Sequence, residues 1–274
     1  SMNQCYEFSG LGNKILILDL LKQDIEVSPQ LIRKLKSLRN FDQLLTIEPP
    51  TKPNLDLSTK IYNSDTSEAE NCVNGARCLA RYVIDNEILG KKEFKVSTIS
   101  DIWSLGEIDR NNYFVCMEGP DFSKNSEHLP LANEAGIRKL EFDDLPPLEV
   151  SFVNIGNPHC VNFTEDINSD LLNEWGSQLQ SSNYFPEGVN LSLAKIISKD
   201  CLSLRVYERG AGETEACGSA ACASVVLGYK LDLIGKNTNV SFNSGDLRVN
   251  FDEISNIITL EGGADFIGKF EFDS

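Results

Sequence analysis

Two stretches of this chain set a cysteine in the same surroundings. "EAENCVNGA" (68–76) and "ETEACGSAA" (213–221) each read Glu, any residue, Glu, any residue, Cys, then a small or polar run ending in Ala. Cys72 and Cys217 lie 145 positions apart in 274 residues, one in each half. Apolar residues recur at helical spacing after both: Ala76, Leu79, Ala80, Val83 and Ile84 in the first half, Ala221, Val225 and Leu227 in the second. Each cysteine therefore opens a helix. A helix start leaves backbone N–H groups unpaired and carries about half a positive charge. That predicts a thiol pKa pulled below the free value of about 8.5, with thiolate available near neutral pH.

The residues after each cysteine, "VNGA" and "GSAA", leave room for backbone amides to approach a carboxylate. Two such helix starts suit the inversion of a carbon next to a carboxylate. That reaction needs a base on one face, an acid on the other, and fixed donors for the anion between them. It asks for no metal and no organic cofactor, so none is expected. A lone cysteine before small residues is commonly a buried helix-start residue; the repetition and the paired glutamates set these two apart. Cys78 and Cys222, inside the helices, are expected in the core.

Composition narrows the partners. Asp and Glu number 41 against 25 Lys and Arg, a formal net charge of −16, so the field of the chain repels nucleic acid and anionic membrane. No apolar run approaches the ~20 residues that span a bilayer. The N-terminus "SMNQCYEFSG" has no basic region followed by an apolar one, Ser1 reads as a remnant of expression cloning, and a cytoplasmic protein is expected. Eight cysteines in a chain of this kind are expected as reduced thiols, and with no C-x-x-C and two histidines a zinc site is not expected.

The elements that must position the cysteines follow from periodicity. "KILILDLL", "QLLTIE", "LSTKIYN", "FKVST", "IWSLGEI" and "YFVCME" read as strands in the first half. "SPQLIRKLKSLR" reads as a helix with Ser28 as N-cap and Pro29 at its first position. The polar segment 119–136 holds both glycine and proline and reads as a linker. Beyond it "LEVSFVNI", "LSLAKII" and "LSLRVYE" read as strands and "NSDLLNEWGSQL" as a helix capped near Asn168 or Ser169. Strand-like runs near 239–251, 256–261 and 266–272 close the chain. Each half is several strands around one cysteine-led helix, which predicts a pseudo-symmetric α+β pair of domains.

"RVYERGAGETEACGS", "GNPHC" and "NGARC", with "GLGN" near the start, resemble the diaminopimelate epimerase family over most of the chain. The resemblance implies two lobes, each a curled, mostly antiparallel sheet wrapped around a central helix. The first takes residues 1–118, completed by strand 264–274, and the second residues 119–263. It implies a cofactor-independent epimerase interconverting LL- and meso-diaminopimelate, in lysine and cell-wall precursor biosynthesis, and a homodimer. Cys72 and Cys217 match its acid–base pair, with His159 and Glu208 supporting catalysis. Amides of Val73, Asn74, Gly218 and Ser219 match the positions holding the reacting carboxylate. Asn13, Gln43, Glu208 and Arg209 match further ligand positions; Asn63, Asn157 and Asn190, with Arg209, match those gripping the distal amino-acid head. His159 also has a plain structural reading beside Pro158, and Glu68, Glu70 and Glu215 read as solvated loop acids.

The chain departs from the family pattern mainly in its first half. "CVNG" puts Val73 where glycine is usual, "SGLGNK" puts Ser9 and Lys14 where His and Asp are usual, and "NSDTSE" puts Thr66 at a usual glycine. Ala220 takes a glycine position in the second half. Three readings stay open: an active diaminopimelate epimerase, a racemase of another amino acid on the same fold, and a ligand-binding paralogue. Binding alone does not require two cysteines, and a thiol–disulfide oxidoreductase would carry its pair in one C-x-x-C.

Overall fold

A computed structural model describes residues 2–122 and 136–273. The linker expected over 119–136 falls mostly on 123–135, outside the described residues, as does Ser1. The chain forms two compact units, Ser1–Met117 with Glu261–Ser274, and Glu118–Leu260.

The first unit contains β1 (Met2–Gly10), β2 (Asn13–Asp19), α1 (Pro29–Leu38), β3 (Gln43–Ile47), β4 (Leu57–Ser58), β5 (Ile61–Asn63) and β6 (Glu68–Ala69). After them come α2 (Val73–Asp85), β7 (Glu93–Ser97), β8 (Ile102–Asp109) and β9 (Asn112–Glu118). β1, polar on its outer positions, was not legible as a strand. It pairs antiparallel with β2 and with β19 (Asp265–Asp273), the last strand of the chain. The turn from β1 to β2 is two residues, Leu11 and Gly12, both at positive φ as a tight twisted hairpin requires. α1 starts as expected: Ser28 Oγ accepts the Leu31 N–H at 3.1 Å, and Pro29 fills the first helical position.

"LSTKIYN" is two strands rather than one. β4 pairs parallel with β7, whereas β5 pairs antiparallel with β3, so the chain changes partner at Thr59 and Lys60. Alternation cannot report such a switch, because each short strand keeps the same period. α2 packs against β1, β2 and β3 on one side and β8 on another. Its first eight residues are all buried, which makes it the central helix of the unit.

The second unit holds β10 (Arg138–Leu140), β11 (Leu148–Asn154), β12 (Pro158–Phe163), α3 (Leu172–Leu179), β13 (Asn190–Ser198), β14 (Cys201–Glu208) and β15 (Gly212–Thr214). α4 (Gly218–Lys230), β16 (Asn237–Phe242), β17 (Gly245–Asp252) and β18 (Ile257–Gly262) complete it. Its sheet runs β10-β11-β12-β13-β14-β16-β17-β18, with β15 attached to β14. The expected run 239–251 is a hairpin, β16 with β17. α3 begins without a side-chain cap; Ser169 Oγ instead accepts the Leu171 N–H just before it. α4 packs against β11, β12, β13 and β17 and is buried from Gly218 through Gly228. A helix apolar on all sides belongs inside its sheet. The architecture is thus α+β, mostly sheet, with a cysteine at the start of the central helix in each unit.

Candidate active site

In the first unit Cys72 is the N-cap of α2 and is buried. Its sulfur accepts the Gly75 N–H at 3.3 Å, one of the orphan donors of the helix start, and lies 3.8 Å from Gln43 Oε1. Gln43, opening β3, stands opposite Asn63 in the β3–β5 ladder, and its amide donates to Asn63 Oδ1 at 3.2 Å. Cys72, Gln43 and Asn63 therefore form one connected group. Asn13 opens β2 directly after the hairpin turn, and its buried Oδ1 has no hydrogen-bond partner among the described residues. Gly10 brings that hairpin against α2: a Cβ there would come within 3.1 Å of the Asn74 carbonyl oxygen. Glycine eases this approach, since an added Cβ would require the hairpin or the helix start to give by a few tenths of an ångström.

Val73 and Asn74 form the first turn of α2 and are buried. Val73 is not among the residues at positive φ, so the branched side chain fits its backbone without strain. At Lys14, where the family pattern has an acid, the backbone N–H donates to Asp42 Oδ2 at 2.8 Å. Arg77, quoted within "NGARC" but given no role by sequence reasoning, is fully buried. It donates to Asn74 Oδ1 at 3.0 Å and to Gly263 O at 3.1 Å, tying the first turn of α2 to the segment before β19. A buried arginine spending its fork on backbone and amide oxygens is a local clamp.

In the second unit the hairpin of β14 and β15 makes the site. Glu208 ends β14, glycines at 210 and 212 take the positive φ of the turn, and β15 returns to deliver Cys217 at the start of α4. The Glu208 carboxylate accepts hydrogen bonds from the Cys217 thiol and from Thr214 Oγ1. The hairpin is clamped from outside by Arg205, which pairs with Glu213 and donates to the carbonyls of Ile167 and Ser169. Ser219 Oγ lies 3.4 Å from Cys217 Sγ and accepts an N–H from Asn157 Nδ2 at 3.1 Å. His159 Nε2 stands 3.0 Å from Asn157 Oδ1. Asn190 uses its amide on backbone, accepting the Arg209 N–H at 2.8 Å and donating to Pro158 O at 3.0 Å. His159, Asn157, Ser219, Cys217 and Glu208 are thereby linked by hydrogen bonds, Asn190 and the Arg209 backbone form a second group on Pro158, and Gly218 lies in the first turn of α4. Thr214 and Arg205 were missed by sequence reasoning; the length of the hairpin was the available signal.

One expectation is corrected here. Burial pushes the Cys217 thiol well above its ordinary value, the Glu208 carboxylate adds to the shift, and the Ser219 hydroxyl and Ala220 N–H only partly oppose it. The Ala220 N–H faces the sulfur without closing the cap hydrogen bond seen at Cys72. The helix start does favour thiolate, but loss of water outweighs it. Cys217 rests as a thiol whose proton points at a carboxylate. His159 is held neutral: burial, then the Arg209 charge, lowers its pKa to about 3. Glu68, Glu70 and Glu215 are exposed, and Cys78 and Cys222 are fully buried.

Among the described residues there is no group of three or more His, Cys, Asp or Glu side chains placed to hold a metal ion. No helix among them is long and apolar enough to cross a membrane.

The two-unit α+β fold is shared with solved structures that include an epimerase and an isomerase. A hydroxyproline epimerase from Agrobacterium vitis with bound trans-4-hydroxy-L-proline superposes with a TM-score of 0.71 at 9% identity, covering 98% of this chain and 92% of its own. A phenazine biosynthesis protein of the PhzF family from Enterococcus faecalis gives 0.68 at 14%, covering both chains fully. A methylitaconate-delta-isomerase gives 0.61 at 12%, covering 99% and 95%. At these identities the likeness is one of fold. The diaminopimelate epimerase family model matches residues 5–121 and 151–267, across both units. The chain belongs to the diaminopimelate epimerase family and is an isomerase.

Proposed function

We propose that this protein is a cofactor-independent epimerase that interconverts LL- and meso-diaminopimelate through Cys72 and Cys217. The observation that carries the reading is the repeated device of a buried cysteine at the start of each unit's central helix, with a base set beside the second. Cys217 enters as the acid, its thiol hydrogen-bonded to Glu208. The complementary base is Cys72, which removes the α-proton from one face while Cys217 returns a proton to the other. Cys72 acts as thiolate: the substrate C–H bond breaks as the Cys72 S–H bond forms, the Cys217 S–H bond breaks as the new C–H bond forms, and the product leaves a Cys72 thiol and a Cys217 thiolate. In the reverse direction Glu208 is placed to take up the Cys217 proton. The first-turn amides of α2 and α4 hold the reacting carboxylate and stabilise the planar anion.

Diaminopimelate is favoured over other amino acids by the family match and by the set matched to a distal amino-acid head: Asn63, Asn157, Asn190 and Arg209. An arginine fork reads a second carboxylate, and amides read both charges of that head. A second reading, racemisation of a different small amino acid, is supported by the fold relative that holds hydroxyproline. The protein acts on a small molecule, works as a homodimer and is cytoplasmic in this reading.

The test is proton NMR of LL-diaminopimelate with reduced protein in D2O. Loss of the α-proton signal, abolished in both Cys72→Ser and Cys217→Ser, is expected. Exchange of proline, hydroxyproline or histidine in place of diaminopimelate would move the substrate to the second reading. No exchange with any of these would remove the two-thiol mechanism.

A further inference from the structure

The hydrogen bonds behind Cys217 have a direction that can be worked out atom by atom. Asn157 Nδ2 donates to Ser219 Oγ, which turns Asn157 Oδ1 toward His159. His159 must then be the donor, carrying its proton on Nε2, and its buried Nδ1 has no hydrogen-bond partner among the described residues. The thiol proton of Cys217 is committed to Glu208, so the Ser219 hydroxyl proton is the one that lies toward Sγ. The order is His159 to Asn157 to Ser219 to sulfur, each group donating to the next.

We propose that His159 and Asn157 are positioning residues for the Ser219 hydroxyl, and that Ser219 donates to Cys217 sulfur and stabilises its thiolate when the proton passes to Glu208. Its catalytic meaning rests on the two-thiol reading above, but the chain itself does not. A serine hydroxyl left to rotate could instead accept from the thiol and hold it protonated. With one lone pair occupied by Asn157, the donating orientation is favoured. The neutral ring of His159 fixes the flip of Asn157 through its Nε2–H. The charged groups around the chain are Glu208, against Cys217, and Arg209, against His159.

The experiment follows iodoacetamide labelling of each cysteine at pH 8 by peptide mass spectrometry, which needs no substrate. Ser219→Ala is expected to slow labelling of Cys217 about tenfold, the loss of one donor to an anion. Partly exposed Cys201 should keep its rate. Ser219→Thr keeps a hydroxyl and should label Cys217 near the wild-type rate. Asn157→Leu should slow it in the same direction with Ser219 intact. Unchanged or faster labelling of Cys217 in Ser219→Ala would overturn the proposal, as would equal slowing in Ser219→Thr. A failure of diaminopimelate to exchange would count against the proposed substrate and leave these rates as they are.

Discussion

Gly75 and Cys72 are held so closely that a side chain at position 75 requires the sulfur or Leu45 to move. The Gly75 N–H reaches Cys72 Sγ at 3.3 Å, and a Cβ on Gly75 would come within 2.9 Å of that sulfur and 2.8 Å of Leu45. Glycine inside a first helical turn usually weakens the helix, so its presence marks a steric need. Gly75→Ala should move the sulfur and break its cap hydrogen bond. The expected result is a stability loss of about 1–3 kcal/mol in urea titration and a large fall in α-proton exchange. A variant as stable and active as the parent would show that the turn relaxes freely.

Thr214 holds Glu208 from β15 while Cys217 holds it from α4. Thr214→Val removes the hydroxyl at nearly constant shape and leaves the carboxylate less fixed. Turnover should fall about tenfold. Thr214→Ser should restore it. If valine is as active as threonine, Glu208 is positioned by the backbone alone.

His159 gives stability a defined acid limb. Burial, then the Arg209 charge, brings its pKa from the ordinary 6.5 down to about 3, so the unfolded chain binds a proton that the folded chain refuses. The stabilisation is complete above pH 6.5 and is lost as pH falls toward 3, on the order of 4–5 kcal/mol across that window. Urea midpoints measured from pH 7 to pH 4 should decline, and His159→Gln should flatten the decline. A slope identical in the variant would assign the acid sensitivity to carboxylates.

Thr66 sits at φ +80°, in the turn that closes β5 on β6, where a branched side chain is strained. Thr66→Gly should relieve about 1 kcal/mol and raise the melting temperature by about 2–4 °C. An unchanged or lower melting temperature would mean that contacts of Thr66 offset its strain.

Much of this protein was readable from order and spacing. Ser28 and Pro29 start α1 by local chemistry, and the small residues after Cys72 and Cys217 start α2 and α4 for the same reason. The repetition of that device located both candidate thiols and the α+β plan around them. Other features had no local signal. "LSTKIYN" changes sheet partner within seven residues, because pairing is decided by which edges are exposed, not by the period of the strand. Arg77 looked like one more helix residue until burial turned it into a clamp. Cys217 shows the limit most clearly. The helix start at Gly218, legible in sequence, argued for a thiolate; the sheet around α4 removed the water and set Glu208 against the sulfur. Backbone dipoles are fixed by local structure, whereas the cost of a buried charge depends on everything packed around it, and only the folded chain decides that.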